Sequence, residues 1–358
     1  MGKGMEKLIY VHVVRLGKSF KKGVTDSGYA DATNDWYVIK QRKDGSEMIR
    51  VFEDVDQLNH LGPALLDTCC EVIGSCIYVI GGLSVMCRRP YEIGGDEGSG
   101  QIRFLDTRNP KDGWRTCFAF PFTLSGCESV VIDNRWLYLF GGNRRDGCFP
   151  PKPWAYAVNV DDNKAIKDRV REIAQPGNSV YAPLFSAYLS SGILVAYMSV
   201  EGTLYGLDCM NNVWSEYQND LPYSAAELVN CTTAVFDGIL YIYDSDNMTL
   251  TSYDIYNKKE LYVVGLPHSF GSGLDYAVEL IVLSKDRFCI IQDMNGDVSN
   301  ELILYYTRFS ISYDTPEPSV VLEEDKSFHV LGCRLLNVVA VDPHSDVAST
   351  SSSISRSN

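Results

Sequence analysis

The sequence predicts an all-β fold made of a repeated unit, a six-bladed β-propeller. Two similar stretches first indicate the repeat: SCIYVIGGL at residues 75–83 and RWLYLFGGN at residues 135–143. Four further apolar strands fit the same pattern, and the copies align at Tyr10, Tyr78, Tyr138, Val195, Tyr241 and Cys289. The 22 tyrosines of the chain agree with a strand-rich fold, because aromatic residues favour β-strands.

Each copy is one strand of a four-stranded unit. A short apolar strand with a turn signal precedes most copies, as in CCEVIGS, ESVVIDN, TTAVFDG and ELIVLSKD. Two alternating strands joined by a polar turn follow, as in WYVIKQRKDGSEMIRV, IRFLDTRNPKDGWRT, TLYGLDCMNNVWSEY and TLTSYDIYNKKELYVV. Four short strands per repeat are typical of a propeller blade.

The two ends of the chain predict how the ring closes. The first copy begins near Leu8 with no room before it for a leading strand, whereas LLNVVAVD at residues 335–342 reads like the leading strands of the other units. Pairing this segment with LIYVHVV would complete the first blade and remove two exposed strand edges. We therefore predict a propeller domain over residues 1–344, followed by a disordered serine-rich tail at residues 345–358.

The repeat resembles that of the kelch-repeat β-propellers. The resemblance rests on two diglycines after an apolar strand, Gly81–Gly82 and Gly141–Gly142, and on aromatic and tryptophan pairs in the strands that follow: Phe104 with Trp114, and Tyr205 with Trp214. Glycine suits this place because the chain turns tightly where a side chain would collide with the next blade. Later copies carry Met198–Ser199, Asp244–Ser245 and Gln292–Asp293 instead of the diglycine, and Glu260 stands where a tryptophan is expected.

Within that family the chain is most similar to the plant F-box/kelch-repeat proteins. There a helical F-box precedes the propeller and recruits a ubiquitin-ligase scaffold. We expect no F-box here, because the propeller pattern starts almost at residue 1. The resemblance therefore implies binding of a target protein, in the manner of an adaptor, and does not carry over recruitment to a ligase.

Composition and charge limit the partners. The net charge of −14 argues against nucleic acid, because phosphate binding needs a basic surface. No apolar run reaches the ~20 residues that cross a bilayer, so we expect no membrane partner. The start MGKGMEKLIY lacks the apolar stretch of a secretory signal, which favours the cytoplasm or nucleus. We expect a monomer.

We predict the binding site on one face of the ring. In kelch propellers, the loops after the diglycine strand and the loops into each first strand lie on the same face around the axis. Arginine binds carboxylates and aromatic residues supply buried area, so these loops suit a protein partner or an acidic or anionic ligand. The candidate binding residues are Arg88, Arg89, Asn143, Arg144, Arg145, Tyr181, Tyr223, Asn230, Asp275 and Tyr276.

An enzyme, or a small-molecule binder of plant specialised metabolism that uses the axial pocket, remains the alternative. Kelch propellers of the specifier-protein type are thought to hold ferrous iron with carboxylates and a histidine at four-residue spacing. Asp56 and His60 have that spacing, but Glu53 does not, and one such pair is far from a full coordination shell. We therefore predict no metal, no cofactor and no catalytic set, and we interpret His12, on an apolar strand, as a core histidine. Whether the chain is an enzyme stays open.

Overall fold

In the computed structural model, the described residues form short antiparallel strands and one 3-10 turn at Pro110–Asp112. The strands are grouped in six four-stranded sheets, which are the blades, and one small two-stranded sheet. The described residues are 7–15, 33–42, 45–51, 65–66, 68–84, 100–143, 154–160, 169–176, 183–189, 191–198, 203–218, 221–224, 227–228, 231–266, 277–295, 301–315, 317–331 and 334–342.

The blades follow the chain, apart from the first, which takes its first strand from near the C-terminus. Blade 1 contains β26 (Arg334–Val341), β1 (Leu8–Arg15), β2 (Thr33–Arg42) and β3 (Gly45–Arg50). Blade 2 contains β5 (Cys69–Ile73), β6 (Cys76–Ile80), β8 (Gln101–Asp106) and β9 (Arg115–Ala119). Blade 3 contains β10 (Ser125–Ile132), β11 (Trp136–Asn143), β12 (Ala155–Asn159) and β13 (Val170–Ile173).

The other three blades have the same order of strands. Blade 4 contains β14 (Pro183–Tyr188), β15 (Leu194–Met198), β16 (Thr203–Asp208) and β17 (Val213–Gln218). Blade 5 contains β18 (Thr232–Phe236), β19 (Ile239–Asp244), β20 (Thr249–Asp254) and β21 (Lys259–Gly265). Blade 6 contains β22 (Val278–Ser284), β23 (Arg287–Asn295), β24 (Glu301–Ser312) and β25 (Ser319–Leu331). The two-stranded sheet pairs β4 (Leu65–Leu66) with β7 (Leu83–Ser84).

The first strands of the blades form the inner ring. Each contacts the first strand of the next blade, in the order β26, β5, β10, β14, β18, β22 and back to β26. A separate apolar cluster fills each of the six seams between neighbouring blades. The predicted six-bladed all-β propeller is therefore confirmed.

Ring closure also follows the prediction. β26 pairs antiparallel with β1, from Leu8 opposite Val341 to Val14 opposite Arg334. Asp293 secures the start of β26, because its carboxylate accepts hydrogen bonds from the backbone N–H of Leu335 at 3.0 Å and of Ala277 at 2.7 Å. Asp293 occupies the place of the second glycine of the diglycine, so this departure from the repeat helps to close the ring.

The glycines of the repeat have the backbone conformation that the sequence predicted. Gly81 and Gly141 have φ values of 62° and 64°, in the region that favours glycine. A Cβ on Gly81 would overlap the carbonyl oxygen of Leu124, which leads into blade 3. The N–H of Gly82 donates to the same carbonyl at 2.6 Å. The first diglycine therefore allows close contact with the next blade.

Aromatic side chains pack at the seams. Trp36 stacks on His12, with ring centroids 4.4 Å apart, and lies 5.3 Å from Trp114 in the next blade. Burial lowers the pKa of His12 to about 3, and its Nδ1 lies 3.3 Å from the amide nitrogen of Asn337. His12 is thus a buried core residue, as predicted. Residues 345–358, predicted to be a disordered tail, lie outside the described residues.

Removing residues 334–358 should abolish cooperative unfolding, because the truncation deletes β26 and leaves the inner edge of β1 unpaired along its length. Thermal unfolding followed by far-UV circular dichroism would measure the effect. Removing only residues 345–358 keeps β26 and should leave the midpoint unchanged. Equal midpoints for both truncated proteins would show that closure does not depend on β26.

Replacing Gly81 with alanine should destabilise the protein more than replacing Gly126. Both glycines have positive φ, but nothing lies within 4 Å of a Cβ at Gly126, whereas a Cβ at Gly81 meets backbone. Gly126→Ala should therefore cost about 1–2 kcal/mol for the backbone conformation alone. Urea unfolding would compare the two, and equal losses would contradict a steric role for Gly81.

Candidate functional site

The ring has a loop face and an opposite face, which we define by the direction of the first strands. The first strand of every blade begins at the loop face, so the connections after each second strand and before each first strand also lie there. The longest connection between described strands on the opposite face spans residues 160–169. Loop-face connections include residues 16–32, 51–68, 81–100, 219–231 and 266–277.

Most of the predicted binding residues lie outside the described residues, although their connections begin and end at the loop face. These residues are Arg88, Arg89, Arg144, Arg145, Tyr181, Asn230, Asp275 and Tyr276. Asn143 is the last residue of β11 and pairs with Ser125. Asp56 and His60, the pair with the spacing of an iron site, also lie outside the described residues.

Tyr223 is held between blades 4 and 5. Its hydroxyl donates to Glu260 at 2.9 Å, and its carbonyl accepts a hydrogen bond from the Tyr197 hydroxyl at 3.0 Å. Its ring contacts Tyr253 at 6.3 Å between centroids. Glu260, which stands where the kelch pattern would have tryptophan, thus serves as the acceptor for this tyrosine.

The axis of the ring contains a cavity of about 350 Å³. First strands of blades 1, 2, 5 and 6 form its wall, whose lining residues include Val72, Phe236, Ile281 and Val339. More than half of the surface that the lining exposes to the cavity is polar, because the apolar side chains also pack into the seams. Lys7 closes the end near the opposite face, where its Nζ lies 5.7 Å from the ring centroid of Phe236. Burial lowers the pKa of Lys7, while the charge of Asp342 opposes that shift.

Three glutamates lie on the inner strands around this axis. Glu71 lies on β5 and lines the cavity, Glu128 lies on β10, and Glu279 lies on β22 immediately before the lining residue Leu280. Each keeps part of its surface accessible to solvent. These residues make the half of the axis near the loop face acidic, whereas Lys7 lies at the end near the opposite face.

Glu128 and Glu279 occupy equivalent positions in their blades. Each pairs with the residue two positions after the aligned residue of its repeat, Glu128 with Phe140 and Glu279 with Ile291. Cys69 occupies the same position in blade 2. The next blade supplies a serine to two of the three: Ser186 donates to Glu128 at 3.2 Å, and the Oγ of Ser129 lies 2.7 Å from the Cys69 sulfur.

Glu279 lacks this serine. The equivalent position of blade 1 is Val338, opposite Val11 in β1. Within the described residues, Glu279 accepts no hydrogen bond. An ionised carboxylate without a protein partner is costly to bury, so the protonated form of Glu279 is favoured.

The charges of the other two carboxylates act on Glu128. Blades 3 and 6 lie opposite each other in the ring, yet the charge of Glu279 contributes to raising the pKa of Glu128. Burial is the larger cause and, with the charge of Glu71, raises the pKa of Glu128 to about 8. Burial alone raises the pKa of Glu279 to about 7, and burial raises that of Glu71 to about 7 against a hydrogen bond from Ser129.

Sequence reasoning missed these glutamates. They lie within CCEVIGS, ESVVIDN and ELIVLSKD, the segments predicted as first strands. The available signal was an acidic residue inside an apolar strand at the centre of the ring, where charge is uncommon. Their equivalence across blades also follows from the repeat alignment.

In the described part of the chain, no three His, Cys, Asp or Glu side chains come together as a set that could hold a metal ion. None of the helical segments among those residues is long and apolar enough to cross a membrane.

No protein-family model and no curated protein matches the chain. Among solved structures, it is similar to a provisional 6-phosphogluconolactonase from Bacteroides fragilis, with 10% identity and a TM-score of 0.44 over 96% of this chain and 99% of that one. A protein of unknown function from Bacteroides caccae has 11% identity and a TM-score of 0.44 over 94% of this chain and 99% of its own. At this level the similarity carries no argument about activity, and the propeller assignment rests on strand pairing.

Because of these glutamates, we expect the stability of the folded protein to fall as the pH rises. Their pKa values in the folded protein, about 7, 8 and 7, lie above the ordinary value of 4.5, so the folded state holds more protons between these limits. The free energy of unfolding should therefore decrease between about pH 4.5 and pH 8, by about 1.4 kcal/mol for each unit of pKa difference.

Urea unfolding across this pH range would measure the slope. The double variant Glu128→Gln/Glu279→Gln should show a shallower slope, because glutamine does not titrate. Glu216→Gln, an exposed change on the outer strand β17, is the matched control and should keep the original slope. An unchanged slope in the double variant would contradict the assignment.

Proposed function

We propose that the protein is a binding module that recruits a partner protein through its loop face. A six-bladed propeller is a general scaffold for protein binding. The proposal rests on one observation, that the two faces of the ring differ in the length of their connections. Long connections are concentrated on the loop face, and binding residues occur disproportionately on loops held by a rigid scaffold.

The sequence supports a partner with acidic groups. Arg88, Arg89, Arg144 and Arg145 belong to connections of the loop face, in a chain of net charge −14. Guanidinium groups bind carboxylates in a bidentate manner, so an acidic segment of the partner is the expected target. The glutamates at the axis would repel such a segment from the centre and direct it towards the surrounding loops.

We also propose that the propeller is of the kelch type and is related to the plant F-box/kelch-repeat proteins. We propose that it acts in the cytoplasm or nucleus. The diglycines support the kelch type, because Gly81 and Gly141 both have positive φ and the first diglycine contacts the next blade. The strand order within each blade agrees as well.

The axial cavity supports a second function, binding of a small molecule. Its volume of about 350 Å³ lies at the lower end of the ~300–1,000 Å³ of ordinary ligand pockets. Lys7, Cys70 and Glu71 are among its lining residues and would offer polar contacts to a ligand. The cavity therefore supports binding of a small molecule, but it identifies no catalytic step.

Reversing Arg144 and Arg145 to glutamate should weaken binding of the partner, and the loss should be larger at low salt, because salt screens the attraction. The partner would first be identified by cross-linking in extract and then purified. Its dissociation constant would be measured at two salt concentrations by fluorescence anisotropy.

The control is reversal of Lys258 and Lys259, exposed residues next to the start of β21 on the opposite face. Lys21 and Lys22 are a weaker control, because their connection also begins and ends at the loop face. If both reversals reduce affinity equally, the effect comes from net charge and the loop-face proposal fails.

A further inference from the structure

We propose that Cys69 and Cys127 are a redox-active pair, which a hydroperoxide oxidises to a disulfide across the seam between blades 2 and 3. Ser129 and Glu71 carry the proton of Cys69 away during this reaction. The inference goes beyond the two proposed functions, because it needs neither a partner protein nor a ligand in the axial cavity.

The two cysteines face each other from neighbouring inner strands. Cys69 lies on β5 and Cys127 on β10, and both side chains pack into the apolar cluster between blades 2 and 3. The Cys127 thiol is a hydrogen-bond partner of the Cys69 thiol, and neither cysteine is part of a disulfide. A disulfide requires side chains that point towards each other, and this arrangement meets that condition.

A chain of hydrogen bonds connects Cys69 to a carboxylate. The hydroxyl of Ser129 donates to Oε1 of Glu71 at 2.6 Å, and its Oγ lies 2.7 Å from the Cys69 sulfur. A serine hydroxyl has a single hydrogen, which Ser129 donates to Glu71, so the thiol of Cys69 is the donor to Ser129. The proton of Cys69 therefore has a route through a hydroxyl to a base, which is how weak nucleophiles are activated.

The protonation states suit this route. The hydrogen bond with Cys127 and burial raise the pKa of the Cys69 thiol, so Cys69 is neutral before it reacts. Burial raises the pKa of Glu71 to about 7, which is close to the value that suits a general base in neutral solution. The thiolate therefore forms during the reaction, as the proton moves to Glu71.

Oxidation takes two steps. The Cys69 sulfur attacks the terminal oxygen of the hydroperoxide, so that an S–O bond forms, the O–O bond breaks, and the leaving oxygen takes up the proton that Glu71 received. The Cys127 sulfur then attacks the sulfenic acid of Cys69. An S–S bond forms, the S–O bond breaks, and the hydroxyl leaves as water with the proton of Cys127. The two thiols lose two electrons and two protons, and the hydroperoxide becomes an alcohol and water.

Burial sets the order of the two cysteines. Cys69 is half-buried and Cys127 is buried, so the oxidant meets Cys69 first. Cys69 pairs with Ile80, immediately before the first diglycine, and Cys127 pairs with Gly141 of the second. The disulfide would therefore join the two blades where the connections with the loop-face arginines begin.

Oxidation of the full chain with hydrogen peroxide at about pH 8, followed by peptide mapping without reductant, would test the proposal. We expect a disulfide between Cys69 and Cys127 as the first product. In Cys127→Ser, dimedone should instead trap a sulfenic acid at Cys69. The matched control is Cys76→Ser, because Cys76 packs against the same apolar cluster from the start of β6, and this variant should form the disulfide at the original rate.

The proton route is tested by the rate of dimedone trapping in the Cys127→Ser protein. Adding Ser129→Ala or Glu71→Gln should slow trapping at least tenfold. Ser129→Thr keeps a hydroxyl and should restore most of the rate lost in Ser129→Ala, which separates the proton route from side-chain packing. Equal rates for alanine and threonine at this position would overturn the role of Ser129.

The mapping of the unchanged protein needs no variant, so it decides the main claim even if a substitution impairs folding. First products that join other cysteines, or oxidation of all thiols at one rate, would overturn the assignment of the pair. A sulfenic acid that persists at Cys69 in the unchanged protein would overturn the role of Cys127.

Discussion

The pairing of β26 with β1 is the constraint on which the rest of the ring depends. It joins the two ends of the described chain in one sheet, so the first and last blades meet across a seam that is filled like the other five. Without it, the inner edge of β1 would be unpaired and the cavity would lose Val338, Val339 and Ala340 from its wall. Closure therefore shapes the axial site as well as stabilising the fold.

The seams explain why the repeat can degenerate while the ring persists. In blade 2 the N–H of Gly82 donates to the carbonyl of Leu124 at the entry to blade 3. In blade 6 the contact has the reverse polarity, because the carboxylate of Asp293 accepts from Leu335 at the entry to blade 1. In blade 5 the carboxylate of Asp244 accepts from the N–H of Asn247 and makes the tight turn without glycine. Different residues thus satisfy one geometric requirement.

Strand periodicity and the alignment of the repeat predicted the fold, including the closing strand, because these patterns depend on local sequence. The site was harder to predict. The three glutamates stand alone in their strands, and they come to one axis only when blades 2, 3 and 6 assemble into the ring. The missing partner of Glu279 depends on Val338, which is distant in sequence and belongs to the closing strand. Such contacts between repeats are not contained in the pattern of any one repeat.

On the loop face, carboxylates lie near the axis and arginines belong to the surrounding connections. Burial favours the protonated form of the axial glutamates, because it raises their pKa values. As the pH rises they ionise and would repel an acidic segment from the centre, while the arginines would attract it to the periphery. The proposed partner would therefore contact the surrounding connections rather than the axis.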